Sequence, residues 1–339
     1  MIRTCFYYDM ILLARGKNKS EKYRIDFPTP PKSMDYILGL ITKEFEGGND
    51  FLWKQAVPNM RDEAGEPIYT RTYLKDIKVH GKYIAMLVNR CDPTSPDFVT
   101  TNPEAGERKV HTKPEGHGGD FSAHVLISIE NTGIDNQYLG MVESMYGAGL
   151  GGSVVAHFVS HMIRVCKKNY PKEFLVPHVD GCCDDHGNIV MVKMYHEVRL
   201  QGHPSDSLIT DLRAGTLSTV ELVKPSNLNK WDSKGRALEV SRIVKMKLNH
   251  DLIGNAVDLL SEIMGNARKE GMPQLRVKFK KADGEQGGAL LSTADNKFSL
   301  IEESSYVKRH RISDKNSPEV TGFESINYNI VKEMTDHLR

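Results

Sequence analysis

The sequence has few of the features that mark secreted or membrane-spanning proteins. It contains five cysteines, an odd number without a C-x-x-C pair, which argues against both a disulfide framework and a zinc knuckle. No apolar run approaches the roughly 20 residues that a transmembrane helix needs. The first residues, MIRTCFYYDMILLARGK, lack the basic, apolar and small-residue order of a secretory signal. We therefore expect a cytoplasmic protein without a transmembrane segment.

The chain also lacks a large net charge, because 45 lysines and arginines stand against 44 acids and give a formal net charge of +1. The basic residues are nevertheless clustered. Residues 224–247 hold seven Lys or Arg against two acids, and residues 268–281 hold six against one. Such clusters on a neutral background indicate a local phosphate-binding face, although a run of lysines is also typical of an ordinary solvated surface.

Length and element order favour two domains of the α+β class. A single hydrophobic core rarely grows beyond about 250 to 300 residues, and this chain has 339. The pattern predicts mixed or antiparallel sheets with packed helices. We place an N-terminal α+β domain at residues 1–204, with an exposed loop at 91–119, and a C-terminal α+β domain with a basic strand at 205–339.

The stretch from Leu139 to Val165 organises the first domain. A strand leads into a glycine-rich bend, and apolar residues then recur at helical spacing. Ser153 is placed to cap this helix. The bend at 147–152 matches the G-x-G-x-x-G of dinucleotide-binding folds, but the acid in the required range, Asp180, falls in a turn. We favour glycines that let a core helix start close to a sheet, and we expect no cofactor.

Two pairs of histidines in the sequence are candidate metal ligands. His157 and His161 have the spacing of zinc proteases, but Phe158 stands where those enzymes carry the glutamate base, which argues against a protease. We expect one of these histidines at the edge of the core and the other in solvent. His111 and His117 lie in the exposed loop without a second regular pair, so no metal site is expected there.

Local signals predict the other elements. In the first domain, Ser33 caps the helix MDYILGLITKEF, and His80-Gly81-Lys82 joins two alternating strands. The loop 91–119 holds four prolines and four glycines and reads as a long exposed segment or a functional flap. The second domain is expected to contain a short helix, a stop at Gly215, strands in EVSRIVKMKLN and NKFSLIE, an amphipathic helix over 251–269 and a final helix over about 322–337.

Acidic residues crowd the turn HVDGCCDDHGN between two predicted strands. Asp180, Asp184 and Asp185 are close enough in sequence to hold a divalent ion, and the EVR at 197–199 faintly resembles the E-x-K of metal-dependent nucleases. Asp is also an ordinary turn residue. A metal-dependent nuclease that uses the acids between Asp180 and Asp185 is therefore the alternative function.

The clearest binding feature is the strand LRVKFKK. At a period of two, Arg276, Lys278 and Lys280 point one way and the apolar residues between them point the other. The turn ADGEQGG and the strand ALLSTA complete a hairpin. The pattern predicts a row of cations on one face of a sheet, suited to a polyanion, although such strands also serve oligomeric scaffolds that bind protein.

Three stretches of the sequence resemble the RexA-like proteins of phage exclusion and, more distantly, the KwaB-type proteins of antiphage defence. They are the strand, bend and helix from Phe121 to Ile163, the strand pair from Phe174 to Leu200 with its GCCDDHGN turn, and the helix over 251–269 followed by QLRVKFKKADGEQGGALL. In the last of these, Leu275-Arg276-x-Lys278 and the Ala-Asp-Gly turn match best. The likeness in these stretches is at low identity. The N-terminal region and the loop match poorly, and the glycine-rich bend is not a family feature.

The resemblance implies a homodimeric, mainly sequence-independent protein that binds double-stranded DNA and acts in phage exclusion with a separate effector protein. Basic residues on the matching strand of the family contact DNA, which implies this role for Arg276 and Lys278. On electrostatic grounds we add Lys280, Lys281, Arg268 and Lys308 as DNA-binding candidates. No catalytic residue is assigned.

Overall fold

The computed structural model describes residues 2–145, 147–226, 232, 236–294, 297–301, 305–316 and 319–338. Within them the chain is α+β and mostly strand, with five α-helices and sixteen strands, which confirms the predicted fold class. The helices are α1 (Met34–Glu46), α2 (Gly152–Asn169), α3 (Asp206–Ala214), α4 (Ala256–Lys269) and α5 (Tyr328–His337). The strands are β1 (Arg3–Asn18), β2 (Ile25–Thr29), β3 (Trp53–Arg61), β4 (Pro67–His80), β5 (Tyr83–Asp92), β6 (Phe98–Asn102), β7 (Glu107–His111), β8 (Gly119–Asn131), β9 (Gln137–Met145), β10 (Leu175–Pro177), β11 (Met191–Gly202), β12 (Thr216–Pro225), β13 (Ser241–Lys245), β14 (Gln274–Lys280), β15 (Gln286–Ser292) and β16 (Arg309–Arg311).

Two compact units make up the chain. The first comprises the residues up to Cys5, Met10–Arg199 and the residues from His310 onward, and the second comprises Phe6–Asp9 and Leu200–Arg309. The sequence pattern predicts a single boundary after residue 204, with 205–339 together. In the structure the residues from His310 onward belong to the first unit. Their backbone is hydrogen-bonded to strands of that unit, since the amide of Ile312 donates to the carbonyl oxygen of Arg3 and the amide of Ser122 donates to that of Thr321. Among the described helices, none combines the length and apolar character needed to cross a bilayer.

Most strands of the first unit form one large sheet, in the order β10-β11-β1-β9-β8-β5-β4-β3, with β2 and β16 also paired to β1. The β4–β5 hairpin turns where the sequence predicted, with His80 opposite Tyr83 and Gly81 at a φ of +62°. Side chains of β5 and β8 are almost continuously buried, since helices pack on this sheet and apolar residues occupy successive positions. Ser33 caps α1 as expected, because its side chain accepts from the amide of Tyr36.

Helix α2 carries the predicted apolar stripe, and Val155, Phe158 and Met162 are buried within it. The predicted cap at Ser153 is wrong. The helix starts at Gly152, two residues earlier than a cap at Ser153 implies, and has Gly151 as its N-cap without a side-chain hydrogen bond. The strand after the helix, β10, lies at the edge of the sheet, antiparallel to β11 and three positions from β9, whereas a dinucleotide-binding βαβ unit requires a parallel strand there. The bend therefore serves the start of a core helix.

The proline-rich segment between β5 and β8 contains a pair of strands that the sequence did not predict. Strands β6 and β7 form a separate two-stranded sheet, with Phe98 opposite His111 and Asn102 opposite Glu107. All of their residues are exposed. The β-branched residues of FVTT suit a strand, but the surrounding prolines and glycines favoured the prediction of a long exposed loop.

The C-terminal segment is held in an extended form before α5. The amide of Phe323 donates to Ser122 Oγ at 2.7 Å, and the amide of Asn327 donates to His124 Nε2 at 2.9 Å. These amides bond to side chains of the sheet rather than to helical carbonyls, so the predicted helix over 322–337 begins later. It starts at Tyr328, where the Asn327 side chain supplies the cap.

The second unit is built on a four-stranded antiparallel sheet of order β13-β12-β14-β15. Helices α3 and α4 supply Leu208, Leu212, Leu260 and Met264 to a core that also contains the apolar residues of β14. Gly215 ends α3 as predicted, and a Cβ there would lie 2.5 Å from the carbonyl oxygen of Lys280.

Two elements of the second unit differ from the sequence expectation. Helix α4 begins at Ala256 rather than Asp251, because the Asn255 side chain caps it and the preceding residues form a short 3-10 turn with Leu252 exposed. NKFSLIE contributes no strand within the described residues 297–301. It makes isolated bridges from Leu300 to Gly202 and to Leu291.

Candidate nucleic-acid interface

The alternation predicted for LRVKFKK is present in β14. Leu275, Val277 and Phe279 are fully buried against the helical side of the sheet. Arg276 is half-buried, and Lys278 and Lys280 are exposed. The apolar residues hold the strand on the core, so the three cations are fixed on the opposite face, which we call the open face.

The pairing of β14 with its neighbours β12 and β15 determines which residues lie beside these cations. Residues directly opposite each other in an antiparallel pair share a face. On β12, Glu221 lies opposite Arg276 and Thr219 lies opposite Lys278. On β15, Gly288 lies opposite Lys278. The exposed lysine is therefore flanked by small, uncharged residues.

One acid, Glu221, lies on the open face beside β14. Its Oε2 accepts from Arg276 Nη1 at 3.1 Å. Its Oε1 is 3.5 Å from the Nζ of Lys245, which lies opposite Glu221 on β13. Lys245 belongs to the basic cluster 224–247, but the local pattern does not single it out, because the pairing of β13 with β12 is not visible in the sequence.

The other three predicted DNA-binding residues lie elsewhere. Lys281 follows β14 and forms an ion pair with Glu285 at 3.0 Å, a hydrogen bond that raises the pKa of Lys281. Arg268 lies in the last turn of α4, and its Nε donates to the carbonyl oxygen of Thr293 at 2.8 Å. Lys308 lies outside the four strands, with Nζ 4.8 Å from the ring centroid of Tyr7.

The acids proposed for a nuclease site have other partners. Asp184 accepts from the amides of His186 and Asn188 at 2.9 Å each, and the Asn188 amide lowers the pKa of Asp184. Asp185 forms an ion pair with Lys22 at 2.6 Å, and Asp180 lies 3.8 Å from His178. In the described part of the chain, no three His, Cys, Asp or Glu side chains are grouped so that they could hold a metal ion.

The histidines of α2 take the positions expected of them. His157 is exposed, while His161 is half-buried, and burial lowers the pKa of His161. Both rings stack on Trp53 of β3, with centroids 6.3 Å from the indole in each case. In the exposed hairpin, His111 Nε2 lies 3.0 Å from Thr100 Oγ1.

Comparison with known proteins does not assign the chain to a family. No protein-family model matches it, and no curated protein is significantly similar to it in sequence.

Proposed function

We propose that this protein binds double-stranded DNA without sequence preference through the open face of the four-stranded sheet, and that it acts in phage exclusion. The observation that carries the proposal is the pair Lys278 and Lys280. Both are exposed at alternate positions of a strand whose other face is anchored in the core. Among the described residues, neither forms an ion pair.

The spacing suits the DNA backbone. Alternate residues of a strand are about 7 Å apart, which allows neighbouring lysines to meet successive phosphates of one DNA strand. Each neutralised phosphate releases condensed counterions, so binding weakens steeply with salt. Lysine ammonium groups act as point charges and select phosphate rather than a base edge, which supports binding without sequence preference.

The biological role in this proposal rests on the resemblance to RexA-like proteins. It includes a homodimer and a separate effector protein. Sedimentation equilibrium tests the first of these, since a homodimer has twice the 38.1 kDa of one chain. A single-chain mass at micromolar concentration, with and without DNA, would contradict the homodimer.

The DNA-binding proposal is tested by anisotropy of a labelled random-sequence duplex across a salt series. We expect Lys278→Ala/Lys280→Ala to weaken binding about tenfold or more at 0.1 M salt and to reduce the salt slope by about two. The matched control is Lys54→Ala/Lys168→Ala, which removes two exposed lysines of the first unit. Equal binding by the two double variants would overturn the assignment of the open face.

The same titration is run with magnesium and the duplex is recovered on a gel. An intact duplex is the expected result for a binding protein. Cleavage that is lost in Asp184→Ala would instead favour the nuclease hypothesis and overturn the present one.

A further inference from the structure

Three side chains form a row across the open face. In the antiparallel register, Glu221 of β12 lies opposite both Lys245 of β13 and Arg276 of β14. The row ends at Leu290 of β15, which lies opposite Arg276. One carboxylate is therefore shared between two cations on neighbouring strands.

We infer that Glu221 limits the DNA affinity of the open face by competing with phosphate for Arg276 and Lys245, and that Lys245 is a further phosphate-binding residue. This inference rests on the proposed function of the same face.

Exposure distinguishes the roles of the three side chains. The Glu221 side chain is 11% exposed, that of Arg276 is 41% exposed and that of Lys245 is 76% exposed. The carboxylate of Glu221 is thus largely buried, while the side chains of Arg276 and Lys245 beside it reach solvent. A phosphate that approaches the cations also comes near the carboxylate, and like charges at such separations repel each other at the intermediate dielectric of a protein surface.

The carboxylate also has a clear role without DNA. Arginine has five N–H donors, and the structure assigns Nη1 to Glu221 Oε2. This bond fixes the guanidinium of Arg276 in the row, and the negative charge offsets the repulsion between two cations that flank β12. Glu221 therefore stabilises the free sheet while weakening its attraction for a polyanion.

Glutamine separates these two effects. In Glu221→Gln an amide oxygen still accepts from Arg276, but the negative charge is gone. We expect this variant to bind the duplex about threefold to tenfold more tightly than the wild-type protein does. Glu262→Gln is the matched control, because it makes the same chemical change at an exposed position of α4, the helix that packs on the other side of the sheet.

A second pair of variants tests Lys245. Lys245→Ala is expected to weaken binding and to reduce the salt slope by about one. Its control, Lys269→Ala, removes an exposed lysine at the end of α4 and is expected to leave the slope within about 0.3 of the wild-type value.

The outcomes separate this inference from the proposal on which it rests. If wild-type binding is lost in Lys278→Ala/Lys280→Ala but Glu221→Gln behaves like Glu262→Gln or binds more weakly, the role of Glu221 is overturned and the open face remains the DNA site. If Lys245→Ala matches Lys269→Ala, Lys245 is not a contact. If the wild-type chain binds no duplex, both the proposed function and this inference fail.

Discussion

The Nδ1 of His124 donates to the Oε2 of Glu143 at the centre of the first unit. The other carboxylate oxygen accepts from the guanidinium of Arg3, and the side chains of all three residues are fully buried. Because His124 Nε2 accepts from the amide of Asn327, the ring proton is placed on Nδ1. The cluster thus holds the buried ion pair of Arg3 and Glu143 beside the imidazole of His124, and it joins β1, β8 and β9 to the C-terminal segment.

Removing the charge of Glu143 is expected to destabilise the protein strongly. In Glu143→Gln the guanidinium of Arg3 remains buried without a counter-ion, and breaking such a pair costs about 3 to 5 kcal/mol. The measurement is the free energy of unfolding in urea. The control is Glu197→Gln, because Glu197 forms an exposed ion pair with Arg199 that is worth less than about 1 kcal/mol. Similar losses in the two variants would contradict the role of the buried pair.

We expect the ionised carboxylate of Glu333 to contribute a part of the free energy of unfolding that is lost in acid. Burial alone would raise its pKa, but hydrogen bonds from Asn316, His310 and Ser313 lower the pKa from 4.5 to about 2. A carboxyl whose pKa is lower in the folded state stabilises the fold fully above its unfolded pKa, and this contribution disappears as the pH falls towards the folded value.

The unfolding free energies of the wild type and Glu333→Gln should therefore differ most above about pH 4.5 and converge as the pH approaches 2. Urea unfolding at a series of pH values checks this. Parallel curves for the two proteins between pH 6 and pH 3 would show that Glu333 has no depressed pKa.

Two glycines of the bend before α2 give a matched comparison. Gly149 has a φ of +63°, and a Cβ there would lie 2.1 Å from Nη1 of Arg90, which donates to the carbonyl oxygen of Gly149. Gly147 has a φ of +82°, and among the described residues other than its chain neighbours no atom lies within 4 Å of its ideal Cβ. Alanine at Gly147 should cost about 1 to 2 kcal/mol of stability from backbone strain alone, and Gly149→Ala should cost more. Equal losses on thermal unfolding would mean that Arg90 moves without penalty.

The cysteines should react in an order set by burial. Cys183 is exposed, whereas Cys5 and Cys166 are buried and without disulfides. Burial raises the pKa of the Cys166 thiol to about 12, and burial also raises that of Cys5. Since the thiolate is the reactive form, a short pulse of maleimide at pH 8 followed by peptide mass spectrometry should label Cys183 first and leave Cys5 and Cys166 unmodified until urea is added. Early labelling of Cys166 would contradict its burial.

The sequence predicts a structural feature correctly where that feature is determined by residues close together in the chain. The period-two alternation of β14, the cap at Ser33, the tight turn at Gly81 and the stop at Gly215 all depend on neighbours within a few residues. The buried face of β14 and these ends of elements could therefore be predicted from the sequence, and so could the α+β class, whereas the starts of α2, α4 and α5 were predicted at the wrong residues.

Pairings between distant residues could not be predicted in this way. Arg3 reads as a surface residue near the start of the chain, yet its counter-ion is 140 positions away. Glu221 and Arg276 are separated by 55 positions and meet only through the register of β12 and β14. The sequence thus indicated the row of cations but not the acid that lies among them.

The hydrogen bonds of the C-terminal segment also constrain how the protein is made. Val320 and Thr321 accept from Arg3 and from the amide of Ser122, and Asn327 donates to His124. A ribosome adds the whole of residues 200–309 to the chain before it adds these partners. The buried charges of the first unit therefore lack their full set of partners until residues 320–327 have been made, which is after every residue of the second unit.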